Sequence, residues 1–158
     1  KVITLSDRAS AGEYADKSGP KIQELLSEYF EDKRWHTEFY YSLIPDDEKK
    51  LEKELQKSVD ENIDVIFTTG GTGIGPRDIT PDVVEKFADK IVPGIMDRIR
   101  LKYFDTLPSA ILSRSLFAVK NQTLIFCLPG SVKAVQDYVG EITKILEHSI
   151  LMVHGLGH

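Results

Sequence analysis

Two periods alternate along the chain. "KVITLS" opens as a β-branched run that ends in the polar Ser6, Asp7 and Arg8, a short strand whose carboxyl end leads into a loop through Gly12 and Asp16. Behind Ser18, Ile22, Leu25, Leu26 and Tyr29 recur at i, i+3, i+4 and i+7, which predicts a helix capped by that serine. "TEFYYSLIPDD" reads as a second strand stopped by Pro45, and Asp46 or Asp47 stands where it can cap a helix carrying Leu51, Leu55 and Val59. A third strand, Asp64-Val65-Ile66-Phe67, runs straight into a glycine-rich segment. Beyond it, Thr80 is the expected N-cap and Pro81 the first residue of the next helix. A further helical segment restarts after Pro93-Gly94. "SAILSRSLFAVKNQTLIFCLPGS" reads as two strands around a turn at Lys120-Asn121-Gln122, and Ser131 starts a last helix with Val132, Val135, Val139, Ile142 and Ile145 on one face. Strands alternating with helices predict an α/β fold with a mostly parallel central sheet. No repeat, low-complexity tract or linker interrupts the pattern, so residues 1–158 are expected to form one domain.

Composition narrows the function classes. At 158 residues and 17.8 kDa the chain can bury roughly two thirds of the surface its unfolded form exposes. Its apolar runs fall far short of the roughly 18 residues that a membrane-spanning helix needs, so no membrane partner is expected. A net charge of -5 argues against a general nucleic-acid binder, which needs a positive face. It leaves a nucleotide substrate open, because a divalent cation can reverse the local field. The single cysteine, Cys127, lies in the apolar "LIFCLPG" with no adjacent base. It is expected to be core, and its solitary occurrence fits a reducing, cytoplasmic compartment. No secretory signal precedes Lys1, although without an initiator Met that residue is not taken as the natural start. His36 and His148 are isolated, and His154 with His158 lack a third ligand, so no zinc site is expected. No G-x-S-x-G motif or spaced Cys–His pair suggests a hydrolase.

Chemistry concentrates after the third strand, in "TTGGTGIGPRD" from Thr68 to Asp78. Gly70 and Gly75 have P-loop spacing, but Pro76 and Arg77 stand where Lys and Ser/Thr are required. The dinucleotide fingerprint would need glycine at Pro76 or Asp78, and fails as well. What remains is a strand feeding exposed backbone N–H groups, with an arginine and a carboxylate at the far end and a helix start beyond, which suits an anion. Gly70, Gly71, Gly73 and Gly75, interleaved with Thr69 and Thr72, exceed what one turn needs, so close approach of a ligand is the favoured reading over a plain turn. In a parallel sheet the ends of the first three strands emerge on one edge. Asp46 and Asp78 are therefore expected to share a cleft and, near phosphates, to hold Mg²⁺; the alternative is that each merely caps a helix. Arg77 is either a phosphate partner or a surface charge. "LSRS" from Leu112 to Ser115 and "LPGS" from Leu128 to Ser131 are weaker polar loop candidates.

Taken together and in this order, "ITLSDRASAGEYADKSG", "LIPDD", "TTGGTGIGPRDITPD", "PSAILSRS" and "TLIFCLPGS" resemble the molybdopterin adenylyltransferase family, which includes the related domain of gephyrin. The resemblance runs from Val2 to about Ile150. It implies a three-layer α/β/α domain, typically a trimer, that adenylylates molybdopterin with Mg²⁺ and ATP in molybdenum cofactor biosynthesis, before hand-over to a molybdate-inserting enzyme. The family's two important aspartates fall on Asp46 and Asp78. Its nucleotide and pterin phosphate region falls on Thr69, Gly70, Gly71, Thr72, Gly73 and Gly75, beside Arg77, and other pocket segments fall on Ser6, Asp7, Ser113 and Arg114. After "VPG" the family often continues Phe-Gly-Glu where this chain has Ile95-Met96-Asp97, and "LPGS" replaces the commoner "PGxP". A binding-only carrier or assembly module is the competing expectation, since some relatives with near-identical glycine loops are of that kind.

Overall fold

The computed structural model describes residues 1–156. Six strands, β1 (Val2–Leu5), β2 (Tyr41–Ile44), β3 (Val65–Thr69), β4 (Lys90–Ile91), β5 (Leu116–Lys120) and β6 (Thr123–Leu128), form one sheet in the order β2-β1-β3-β6-β5-β4. The first four of these neighbours run parallel, with Ile3 opposite both Ser42 and Thr68, and Phe67 opposite Phe126. β5 is antiparallel to β6 and to β4. The helices are α1 (Asp7–Ser10), α2 (Ser18–Glu31), α3 (Glu48–Asp60), α4 (Thr80–Phe87), α5 (Gly94–Phe104) and α6 (Val132–Val153), with a 3-10 helix at Pro108–Leu112.

Because side chains alternate across a strand, each buried strand feeds two cores. Val2, Phe67, Leu124, Phe126 and Leu128 pack with Ile22 and Leu26 of α2, Met96 and Ile99 of α5 and the apolar stripe of α6. Ile3, Leu5, Ile66, Ile125 and Cys127 pack on the other side with Leu51 and Leu55 of α3 and Val83 and Val84 of α4. The result is the three-layer α/β/α sandwich. Phe126 stacks between Phe67 and Phe117, with ring centroids 5.1 and 4.3 Å away, so Phe126→Ala would cost about 3–5 kcal/mol. In β3 the Thr68 hydroxyl is buried and, among the described residues, has only the Cys127 thiol, a weak partner, beside it. Its register neighbour Cys127 is fully buried too, and burial pushes its thiol up to about 12.

Local signals placed the elements better than their caps. Ser18 is the first residue of α2 and does not cap it. Lys17 holds the cap position, and Asp16 just before it satisfies the first turn, its carboxylate accepting from the Ser18 and Gly19 N–H groups and from the Ser18, Thr4 and Tyr41 hydroxyls. Gly19 is required there: a Cβ would sit 2.6 Å from both Asp16 and the Tyr41 ring. Thr80 likewise lies inside α4, its hydroxyl donating to the Gly70 carbonyl while Ile79 takes the cap position. Ser131 caps α6 as expected. The expected strand at "SAILSRS" is a 3-10 helix at its start, and pairing begins only at Leu116. The segment after β1 holds the short α1 rather than loop alone. His158 lies outside the described residues, and His154 faces Asp64 at 3.5 Å.

Candidate functional site

From β1 the chain crosses to one side to make β2 and returns on the other side to make β3. This is the switch point at which open α/β sheets leave a crevice beyond the carboxyl ends of their strands. Ser6 and Asp7 follow β1, Asp46 follows β2, and the glycine loop follows β3. The structure brings all four together. Asp46 Oδ2 accepts the Asp7 N–H at 3.0 Å and Asp7 Oδ1 accepts the Asp46 N–H at 3.0 Å, a reciprocal clasp between the two strand ends. The cap of α3 is Asp47, which accepts from the Lys50 N–H. Asp46 is thereby freed from the role that competed with a place in the crevice.

Electrostatics separate Asp7 from Asp46. Arg77 grips Asp7 through Nε and Nη2 at 2.7 to 3.1 Å, and that contact, aided by the Asp46 N–H, holds the Asp7 carboxyl below its ordinary range. Burial raises Asp46 above it, and the nearby Asp7 and Asp78 carboxylates add to the rise against the Asp7 N–H and Arg77. Asp78 Oδ2 accepts the Gly75 N–H at 2.8 Å, closing the loop on itself. Oδ1 of Asp46 and Oδ1 of Asp78 carry no hydrogen bond among the described residues.

The loop is built from its own crowding. Gly70 sits at φ +100°, and a Cβ there would collide with the Leu5 carbonyl oxygen. At Gly71, φ +63°, a Cβ would lie 2.6 Å from Thr80 Oγ1 and 3.4 Å from Asp46 Oδ1. At Gly73 and Gly75 it would meet Asp78 Oδ2 at 2.7 and 2.9 Å. Thr69 is buried and donates to the Pro129 carbonyl, while Gly70 N–H donates to Leu128. Thr72 is buried as well, with its hydroxyl 3.5 Å from that of Ser113. Both threonines thus anchor the loop. Among the described residues, the successive N–H groups of Gly71, Thr72, Gly73 and Ile74 donate to no protein acceptor, which leaves a nest of amides suited to an anion.

The remaining expected residues divide by what they touch. Ser6 Oγ caps α1 and meets the Tyr14 hydroxyl at 2.9 Å. Ser113 Oγ pairs with Ser115 Oγ at 2.6 Å. Arg77 lies at the crevice rim, its exposed guanidinium paired with Asp7. Arg114 turns toward the loop backbone and Asp82. Asp82 and Thr80 went unmarked in the sequence as site residues; the "TPD" helix start was the signal that pointed to both. No group of three or more His, Cys, Asp or Glu side chains placed to hold a metal ion exists among the described residues. A cavity of about 440 Å³ lies at the opposite edge of the sheet, between Lys1, Trp35, Asp64 and Leu151, and contains none of these residues.

Comparison with known proteins gives this crevice a family. The family model described as "Probable molybdopterin binding domain" matches residues 1–148. The chain belongs to this family. A curated relative, the molybdopterin adenylyltransferase of Helicobacter pylori (strain ATCC 700392 / 26695), is 39% identical over 98% of the chain and 86% of its own length. Among solved structures, MogA has a TM-score of 0.88 at 33% identity, covering 96% of this chain and 97% of that one. The molybdopterin biosynthesis enzyme MoaB from Thermus thermophilus has a TM-score of 0.84 at 33% identity, covering 98% and 94%. This molybdopterin-binding family shares the α/β fold on which the glycine loop and the two aspartates are mounted.

Proposed function

We propose that this chain is a molybdopterin adenylyltransferase: a phosphate oxygen of molybdopterin attacks the α-phosphorus of ATP, the P–O bond to the β-phosphate breaks, and pyrophosphate leaves. No protein nucleophile is required, so the residues act by position and charge. The observation that carries this reading is the meeting of the unpartnered amides of Gly71 to Ile74 with the free oxygens of Asp46 and Asp78 at the switch point. The amides neutralise charge on transferring phosphate. Asp46 and Asp78 orient it, and the Asp7–Arg77 pair holds the strand end against Asp46.

The donor set fits Mg²⁺, a hard ion that takes one or two carboxylates and completes its shell with phosphate oxygens and water. Asp46 and Asp78 would hold it, and it would supply charge neutralisation on the phosphates. We further infer a single domain, a cytoplasmic setting consistent with the one buried cysteine, and a homotrimer, for which the exposed Leu101, Phe104, Leu107, Ile111 and Leu112 offer an apolar face. The product would pass to a molybdate-inserting enzyme.

The test is pyrophosphate release from ATP with molybdopterin supplied, in Mg²⁺ and in chelator. Release in Mg²⁺ that stops with chelator supports the transferase. Tight pterin binding without pyrophosphate in either condition would make the chain a carrier instead.

A further inference from the structure

Every nitrogen of one side chain is committed around the loop that forms the crevice. Arg114 Nε donates to the Gly73 carbonyl at 2.8 Å, Nη2 donates to the Asp78 carbonyl, and Nη1 reaches both oxygens of Asp82 at 2.8 and 2.9 Å. Its own backbone N–H donates to the Thr72 carbonyl at 2.8 Å. One residue thus ties three backbone points of the loop, Thr72, Gly73 and Asp78, to Asp82 on the first turn of α4. The arginine is itself steadied from behind, because Arg100 donates to the Ser113 and Ser115 carbonyls on either side of it. With its three nitrogens so used, the guanidinium could turn toward a phosphate or a pterin only by giving up these bonds.

We infer that Arg114 is a positioning residue: it sets the distance between the amide nest and the Asp78 carboxylate, and acts on the reaction only through that spacing. The inference rests on the adenylyl-transfer reading for its kinetic consequence and on the geometry alone for its structural one. A planar fork is what the site uses. Three of its contacts diverge from one rigid plane, whereas a lysine ammonium at the same place keeps the charge but cannot span Gly73, Asp78 and Asp82 together. The Arg114–Asp82 ion pair is half exposed on the Asp82 side, so its worth as an isolated charge pair is small. Its value lies in direction.

The experiment compares Arg114→Lys and Asp82→Asn with the unaltered chain by saturation kinetics of pyrophosphate release, by pterin binding, and by amide hydrogen exchange across residues 70–80. For Arg114→Lys the expected result is a fall in kcat of about ten-fold or more, given that a full 1 Å displacement costs about 100-fold. Pterin affinity should stay within about three-fold, and exchange should quicken at the bonded amides of the loop, Gly75, Asp78 and Thr80. Asp82→Asn keeps the arginine and both of its backbone bonds, so its losses should have the same pattern and be smaller. A rise in pterin Kd with unchanged kcat would overturn the inference, because it would mean that Arg114 touches ligand. Unaltered loop exchange in both variants would overturn it equally. If the unaltered chain releases no pyrophosphate, the transferase reading fails by itself, while the exchange measurement still decides whether Arg114 holds the loop. Should Arg114→Lys not fold, Asp82→Asn carries the same decision.

Discussion

Adding one methyl group at Gly73 tests the site where it is tightest. In Gly73→Ala the new Cβ would stand 2.7 Å from Asp78 Oδ2 and 3.1 Å from its Cγ. Ordinary contact begins near 3.4 Å, so the carboxylate must retreat by about 0.7 Å. Gly73 is not among the glycines with positive φ, so the backbone itself does not resist alanine. The strain therefore goes into rotating Asp78, which takes Oδ2 away from the Gly75 N–H it accepts at 2.8 Å. A charge-assisted bond of this kind is worth about 1.5–3 kcal/mol, and a misplacement approaching 1 Å at a reacting centre lowers the rate by about 100-fold. The loop is exposed, so little of that loss should appear in global stability. Pyrophosphate release at saturating ATP and molybdopterin should fall by about 100-fold, and the melting temperature should shift by no more than a few degrees. Turnover within about three-fold of the unaltered chain would mean that the Asp78 carboxylate has no part in the chemistry. A large fall in melting temperature would mean that the crowding holds the fold together.

Asp46 and Asp47 should separate by assay: Asp47→Ala removes the cap of α3 and costs about 1 kcal/mol with turnover retained, whereas Asp46→Asn should abolish pyrophosphate release in a protein that melts normally. Cys127, buried and with its thiol pushed up to about 12, should resist an aromatic disulfide reagent at pH 8 until denaturant is added; reaction in the folded state would place it at the surface. Glu141 of α6 is buried against Lys102 of α5 and Lys144, and the Lys102 hydrogen bond leads in holding its carboxyl below the ordinary glutamate range. A lowered folded value means stability that is present at neutral pH and lost as pH falls through that value. Glu141→Gln should therefore melt below the unaltered chain at pH 7, with the gap closing towards pH 3; a constant gap would remove the charge from the explanation.

The sheet was legible because its strands are short apolar runs bounded by polar residues, and the α2 and α6 stripes because helical spacing repeats over several turns. What escaped was tertiary in origin. β4 has two residues and exists only by pairing with Val119 and Ala118, so no local pattern announces it. Ser18 and Thr80 are good caps by type, yet Asp16 and the Gly70 carbonyl took those contacts through the way the chain folds back. Which candidate residues meet was legible, and what each of them touches was less so. The glycines suggested a ligand close to the backbone, but their missing side chains make room for Leu5, Thr80 and Asp78 of the chain itself. Arg77 was expected beside the phosphate loop and Arg114 only as part of another pocket segment. Only the fold shows that one clasps Asp7 and the other grips the loop.

The buried hydroxyl of Thr68 bears on how this chain has been optimised. A hydroxyl sealed in a core with only a thiol, a weak partner, beside it is poorly compensated for a desolvation cost of about 1–3 kcal/mol, and valine fills the same volume without that penalty. A sequence that keeps such an atom in the central strand of its sheet stands below the greatest stability its fold allows, as expected where selection removes only what fails to stay folded. The strand that presents the glycine loop therefore has headroom: an engineer seeking a hardier version could begin in the buried core beside Cys127, one residue before Thr69.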